Sequence, residues 1–252
     1  MTRPHHAPIR ELHVSPEAAG ALLAQAARLR AWTLDDRQAG ELALLTNGGL
    51  APLRGYMTQA DHQAVRDGAV SPWPVPLALP VDGALACDVQ PGDDIALRDA
   101  GGAVLAILSV TDKWGDPVLL GGKVKGLGRP SGGARPNALR ALFRDRGAER
   151  VLAIQPDRSD QIEAASDLSK RLDALLLVQP FPGVAVRVPD GAVLAPLPVA
   201  PPPGSQGVLW RGMVAGNHGA THLVLADPAA RRFYRTHQDR ISVRLAEDGR
   251  NL

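Results

Sequence analysis

Cysteine is nearly absent from this chain of 252 residues: Cys87 stands alone, which excludes an internal disulfide and any multi-cysteine metal site. Aromatics make up only 4%, and lysine is scarce, with 4 Lys against 24 Arg. The arginine excess goes with abundant Ala, Gly and Pro and reads as GC-rich coding. Charges alternate in sign, and no basic stripe is interleaved with aromatics, which argues against a nucleic-acid binder. No run reaches the roughly 18 apolar residues that a transmembrane helix needs. The longest apolar runs, such as Ala174–Val178, are strand-sized. The opening Met1-Thr2-Arg3-Pro4-His5-His6 leads into no apolar segment, so no secretory signal is read and a cytoplasmic protein is expected.

What is present suits one large domain or two small ones. The hydrophobic fraction is 45%, the charged fraction 21% and the net charge +2, so disorder, collagen and coiled coil are excluded as global descriptions. No internal repeat is found. The first ten residues are polar and expected to fray. Ser15-Pro16-Glu17 opens a helix that runs through Leu29. Asp35 or Asp36 opens a second helix, which stops at Asn47-Gly48-Gly49. From Pro72 to Val110 the pattern is β. Val75–Leu79 is an apolar run, and Asp93–Asp99 and Val104–Val110 form a hairpin across Ala100-Gly101-Gly102. The glycine-rich stretch from Gly121 to Gly133 reads as a flexible connection between domains. Helices at Asn137–Arg146, Ser159–Arg171 and Gly207–Ala215 then alternate with strands at Val151–Ile154, Asp173–Val178, Val193–Leu197 and Thr221–Ala226. That alternation predicts a parallel, Rossmann-like sheet.

Two segments together resemble the ATP sulfurylases (sulfate adenylyltransferases). Asp36-Arg37-Gln38 through Asn47-Gly48-Gly49-Leu50-Ala51-Pro52-Leu53-Arg54-Gly55-Tyr56-Met57 is similar to the family's N-terminal signature, Asn-Gly-Gly-Phe-Ser-Pro-Leu, one variable residue, then Gly-Phe-Met. Trp73-Pro74-Val75-Pro76 and Pro91-Gly92-Asp93-Asp94-Ile95-Ala96-Leu97-Arg98-Asp99 match the Trp-Pro-Ile-Pro and hairpin that follow. In the second segment, Leu209-Trp210-Arg211-Gly212 through Asn217-His218-Gly219-Ala220-Thr221-His222 is similar to Leu-Trp-His-Ala through Asn-Tyr-Gly-Cys-Thr-His. The resemblance implies an α/β protein, α+β overall. A PUA-like β-barrel domain over residues 1–134 would precede a reduced Rossmann-like nucleotidyltransferase domain over 135–252.

Active members of that family join sulfate to the α-phosphate of ATP, and two motifs supply the cations and donors. The first, Gln-Thr-Arg-Asn-Pro-x-His-x-x-His, falls on Gln155 to Ala164. Only Gln155 survives. Asp157 stands at the arginine, and Gln161 and Ala164 at the histidines; Arg158 lies one residue beyond the arginine position. The second, Gly-Arg-Asp-His-Ala-Gly, falls on Leu225 to Ala230 and keeps Asp227 and Ala229, with Ala226 and Pro228 at the arginine and the histidine. The family's Arg-Met-Ala-Gly-Pro-Arg-Glu is replaced by Pro201 to Gly207. The stretch after Trp114 is shortened, much of the region beyond Pro180 is missing, and the chain stops at Leu252, before the family's C-terminal lobe.

These losses predict a degenerate member: no catalytic residues, no metal site and no resident cofactor. Vestigial nucleotide contacts remain at Gln155, Arg158, Asn217 and Asp227, with ATP or adenylylsulfate and Mg²⁺ as the ligands to test. The expected role is a scaffold or regulatory module in sulfate activation. The alternatives are an active or altered sulfate adenylyltransferase, or a nucleotide or anion sensor. In some family members an inactive sulfurylase region precedes an adenylylsulfate kinase domain. That kinase, or another sulfur-pathway protein, is the expected partner, alongside a homo-oligomer; no nucleic acid and no membrane are expected. His218 and His222 have the spacing of a helical metal pair, but Gly219 between them argues for a turn. Gly121-Gly122-Lys123 lacks the full spacing of a phosphate loop. Arg231, Arg232, Arg235 and Arg240 read as a solvated helix face, or as a contact for an anion or partner.

Overall fold

The computed structural model describes residues 7–68, 73–128 and 135–247. They form two compact units, Arg10–Ser131 and Gly132–Leu252, the latter together with Met1–Ile9.

The first unit begins with α1 (Pro16–Ala26), whose N-terminus is capped by the Ser15 hydroxyl accepting from the Ala18 amide. Strand β1 (Arg30–Thr33) leads to α2 (Asp36–Thr46). Asp35 and Gln38 cap α2 reciprocally. Gln38 also accepts from the Trp32 indole and donates to the Pro80 carbonyl, so one capping residue ties the helix to two other segments. Then come β2 (Gly55–Tyr56), α3 (Gln59–Arg66), β3 (Leu79–Val81) and α4 (Gly83–Asp88), where Cys87 is exposed. Strands β4 (Asp94–Arg98), β5 (Val104–Trp114) and β6 (Val118–Gly126) complete a six-stranded sheet. Its order is β1-β4-β5-β6-β2, with β3 also on β6. The β4–β5 hairpin forms as the sequence predicts, but β5 runs on to Trp114.

The stretch over 121–133 read as a connector is different. Gly121 and Gly122 lie inside β6, and the expected glycine loop is a paired strand as far as Gly126; residues 129–134 lie outside the described residues. The glycines are there for close approach. A Cβ on Gly121 would sit 2.1 Å from the Met57 carbonyl oxygen, and one on Gly122 2.0 Å from that of Ser109.

The second unit holds α5 (Pro136–Asp145), β7 (Val151–Ile154), α6 (Gln161–Arg171), β8 (Leu175–Val178), β9 (Val193–Leu194), α7 (Ser205–Asn217), β10 (His222–Val224), α8 (Pro228–Thr236) and β11 (Arg244–Leu245). Its five strands are all parallel, in the order β11-β10-β7-β8-β9. Both faces are covered. Val151 and Ala153 pack on one side with Phe143 of α5, Leu209 of α7 and Tyr234 of α8. Leu152 and Ile154 pack on the other with Ile162, Ala165 and Leu168 of α6. The period-2 alternation of a strand thus feeds two apolar layers, which is why Val151–Ile154 is apolar throughout.

Residues 1–6 lie outside the described residues, but Ala7–Ile9 do not fray. Asn137 pairs with the Ile9 backbone through both amide atoms, each at 2.8 Å, and the Arg140 Nε donates to the Ala7 carbonyl at 3.0 Å. Arg140 is only 5% exposed. Its Nη1 donates to the carbonyls of Gly216 and Asn217, each at 3.1 Å, and so satisfies the C-terminal end of α7.

Candidate functional site

The chain leaves β7 through α6 to reach β8 on one side, and later returns through α7 to β10 on the other side of β7. The β7–β10 boundary is therefore where the strand order reverses, and doubly covered sheets open a crevice beyond the strand ends at such a point. A cavity of about 740 Å³ lies there, bounded by the ends of β7 and β10 and by α6 and α8. Its floor includes Ile154, Leu168 and Val224. Its walls carry Arg171, Arg211, Arg231, Arg232 and Arg235 against Asp157 and Glu247. The excess of cation suits an anionic ligand. A second cavity of about 340 Å³ adjoins it at Pro201–Gly204 and shares Asp157, Arg211, Leu225 and Ala226 with the first.

Gln155 follows β7 directly and is 3% exposed. Its Nε2 donates to Gln179 Oε1 and to the Arg211 carbonyl, both at 3.2 Å, while Gln155 Oε1 and Gln179 Nε2 have no partner. Its side chain thus lies against the end of β8. Asp157 is held by Arg211, whose Nη2 donates to Oδ1 at 2.6 Å. Arg211 Nη1 also donates to the Gln155 carbonyl at 2.8 Å, and its guanidinium carbon lies 4.8 Å from the centre of the Phe181 ring.

Arg158 turns to Asp160. Nε and Nη2 reach the two carboxylate oxygens at 3.1 and 2.6 Å in an exposed pair, and these hydrogen bonds hold the Asp160 carboxyl below its ordinary range. Arg158 lines neither cavity. Asp227 caps α8, accepting from the amides of Ala230 at 2.9 Å and Ala229 at 3.1 Å. Those amides, with Arg232 and Arg231 beyond them, keep its carboxyl below the usual range. Pro228 fills the first helical position, where its missing N–H leaves nothing unpaired. Asn217 ends α7, where its carbonyl accepts from Arg140, and it lines neither cavity. Of the four residues read from sequence, then, the structure sets Gln155 in the larger cavity and Asp227 in the smaller, and directs Arg158 and Asn217 elsewhere.

The residue missed was Arg211. Its signal was present, since it replaces the histidine of the Leu-Trp-His pattern, but nothing in the sequence says that it reaches Asp157. The histidines do not form a pair. His218 is buried at the end of α7 and donates from Nδ1 to the Val214 carbonyl at 2.8 Å, whereas His222 sits in β10 beside the Thr221 hydroxyl. Among the described residues no group of three or more His, Cys, Asp or Glu is placed to hold a metal ion, and no helix is long and apolar enough to cross a membrane.

The PUA-like domain family matches residues 2–124. The sulfate adenylyltransferase of Kluyveromyces lactis is 26% identical over 89% of this chain and 57% of its own. A Sorangium cellulosum protein named as a probable bifunctional SAT/APS kinase is 26% identical over 62% of this chain and 33% of its own. A solved structure titled hexameric APS kinase from Thiobacillus denitrificans superposes with a TM-score of 0.81 at 31% identity, covering 97% of this chain and 56% of that one. The chain spans about half the length of curated relatives that it matches over most of its own. With the signature residues, the matched PUA-like region and these relatives together, the chain is an ATP sulfurylase-like protein with a PUA-like domain in its first half.

Proposed function

We propose that this chain is a scaffold or regulatory module of sulfate activation that does not itself transfer adenylyl groups. The observation that carries this is the state of the motif positions at the cleft. Gln161, Ala164, Ala226 and Pro228, which stand where the family has histidine or arginine, all line the larger cavity. None of them brings a cation or a base. Adenylyl transfer from ATP to sulfate gathers negative charge on a pentacovalent phosphorus, and that charge needs donors already aimed at it. Losing one such donor costs on the order of 10²–10³ in rate, and losing one positioned acid or base on the order of 10²–10⁴. The losses are not additive, but several fall in one site. The residues that remain have structural duties: Asp227 caps a helix, and Gln155 bonds across to the neighbouring strand end.

An adenylylsulfate kinase is the partner we infer, and self-association accompanies it. In support, one relative is named as bifunctional SAT/APS kinase, and the solved neighbour is titled a hexameric APS kinase. A reduced nucleotidyltransferase frame in a cytoplasmic setting fits the same role. The arginine-lined cavity favours a second function, a sensor that binds ATP or adenylylsulfate with Mg²⁺ without turnover. Its volume of about 740 Å³ lies in the usual range of small-molecule pockets.

The test is pyrophosphate release with ATP, sulfate and Mg²⁺. No release above background is expected, and sustained release requiring both ATP and sulfate overturns the proposal. Thermal unfolding with ATP or adenylylsulfate separates scaffold from sensor, because a ligand that binds the folded state must raise the melting temperature.

A further inference from the structure

Arg211 is a guanidinium oriented by groups other than its charge partner. Nη1 is fixed on the Gln155 carbonyl, and the guanidinium carbon lies 4.8 Å from the centre of the Phe181 ring. Its side chain is only 17% exposed. The third contact is different in kind: the Asp157 carboxylate that Nη2 meets at 2.6 Å is itself 59% exposed and faces no comparable restraint. The pair lines both cavities, so it stands where the two clefts adjoin. A carboxylate on a guanidinium has the sign of charge and the acceptor pattern of a sulfate or phosphate on the same group.

We propose that Asp157 is a built-in surrogate for an oxyanion: it occupies the Nη2 donor of Arg211 and thereby excludes tetrahedral dianions such as sulfate and phosphate from this part of the cleft. Asp157 is then the specificity-determining residue of the cleft and Arg211 the oxyanion holder it keeps occupied. The proposal deepens the non-catalytic function above by naming the contact that keeps an oxyanion substrate out. Its basis is this chain's own pairing. A negative charge stands at one motif position, a positive charge at another 54 residues later, and the fold brings them together.

Removing the charge from Asp157 leaves Arg211 oriented, largely buried and without an anion, a state that binds one from solution. Arg231 and Arg232 line the same cavity and add to its positive potential.

The experiment uses the full chain with Asp157→Asn and, independently, Asp157→Ser. Each is titrated calorimetrically with inorganic sulfate and inorganic phosphate at constant ionic strength set by chloride. The expected result is saturable binding at least about tenfold tighter than in the unaltered chain. A rise in melting temperature with sulfate should accompany it. In the double variant Asp157→Asn, Arg211→Gln the gain should disappear. Sulfate binding in the single variants no tighter than in the unaltered chain, with circular dichroism unchanged, overturns the proposal. So does a gain that survives the loss of Arg211. Turnover by the unaltered chain would overturn the non-catalytic function without touching this binding comparison, so the two failures are distinguishable.

Discussion

Replacing Arg140 with Ala tests whether one buried guanidinium holds the α/β unit together at two places. Arg140 extends from α5 and donates to three carbonyls: Ala7 at 3.0 Å, and Gly216 and Asn217 each at 3.1 Å. Ala7 is exposed, so water replaces that donor at small cost. Gly216 and Asn217 are partly buried at the end of a helix, where the last carbonyls lack intrahelical partners, although that of Gly216 also accepts from the Gly219 amide at 2.9 Å. Hydrogen bonds from a charged donor are each worth about 1.5–3 kcal/mol when one partner is removed. Two such losses amount to about 3 kcal/mol, with the attraction of a cation for the helix C-terminus included in that figure. For a domain of this size the shift in melting temperature is about 10 °C. Urea and thermal unfolding of Arg140→Ala, followed by far-ultraviolet circular dichroism, measure it directly. Arg140→Lys keeps the charge without the planar fork and should fall between the two. A loss below about 1 kcal/mol for Ala would refute the double-cap assignment, as would a Lys variant no better than Ala.

Two further predictions concern the same layer. Burial pushes the His218 imidazole down to about 4, a shift that Arg140 reinforces and the bond to the Val214 carbonyl partly opposes. Because the folded value lies below the unfolded one of about 6.5, stability is full above pH 6.5 and falls as the pH drops toward 4, by up to about 3 kcal/mol. A His218→Gln variant should show a flatter pH dependence of its urea midpoint across that window, and an unchanged slope would count against the buried neutral imidazole. Gly212→Ala places a Cβ 2.5 Å from the Tyr234 hydroxyl, which donates to the Val243 carbonyl at 2.9 Å. The helix α7–α8 packing must then open, at about 1–3 kcal/mol by chemical denaturation; a neutral effect would mean that Tyr234 moves freely.

The elements legible in the sequence were those whose burial and periodicity agree. Val151–Ile154 is apolar throughout because both faces of β7 are covered, and Asp35 announces α2 through a side chain that bonds locally. Strand β6 was illegible because Gly121 and Gly122 carry the local grammar of a turn, whereas their reason is the close passage of the backbone at Met57 and Ser109. Strand β1 was missed as well: Arg30–Thr33 is largely exposed and carries no alternating apolar pattern. At the candidate site the substitutions were visible one at a time, but their pairing was not. Arg211 and Asp157 are 54 residues apart, and only the fold shows that the two departures from the family pattern answer each other.

The bond between Asn137 and Ile9 sets a timetable for synthesis. The two residues are 128 apart, and a ribosome adding roughly 5–20 residues per second needs on the order of ten seconds to pass from one to the other. Through that interval Ala7–Ile9 have been made but Asn137 and Arg140 have not. The residues of the Arg10–Ser131 unit are complete before either partner emerges, so that unit can fold first and the α/β unit closes last. Residues translated well before the rest of their unit are thus among the latest to find their native contacts. A fragment begun at residue 135, the obvious boundary by sequence, would leave Asn137 and Arg140 waiting for a segment that never arrives.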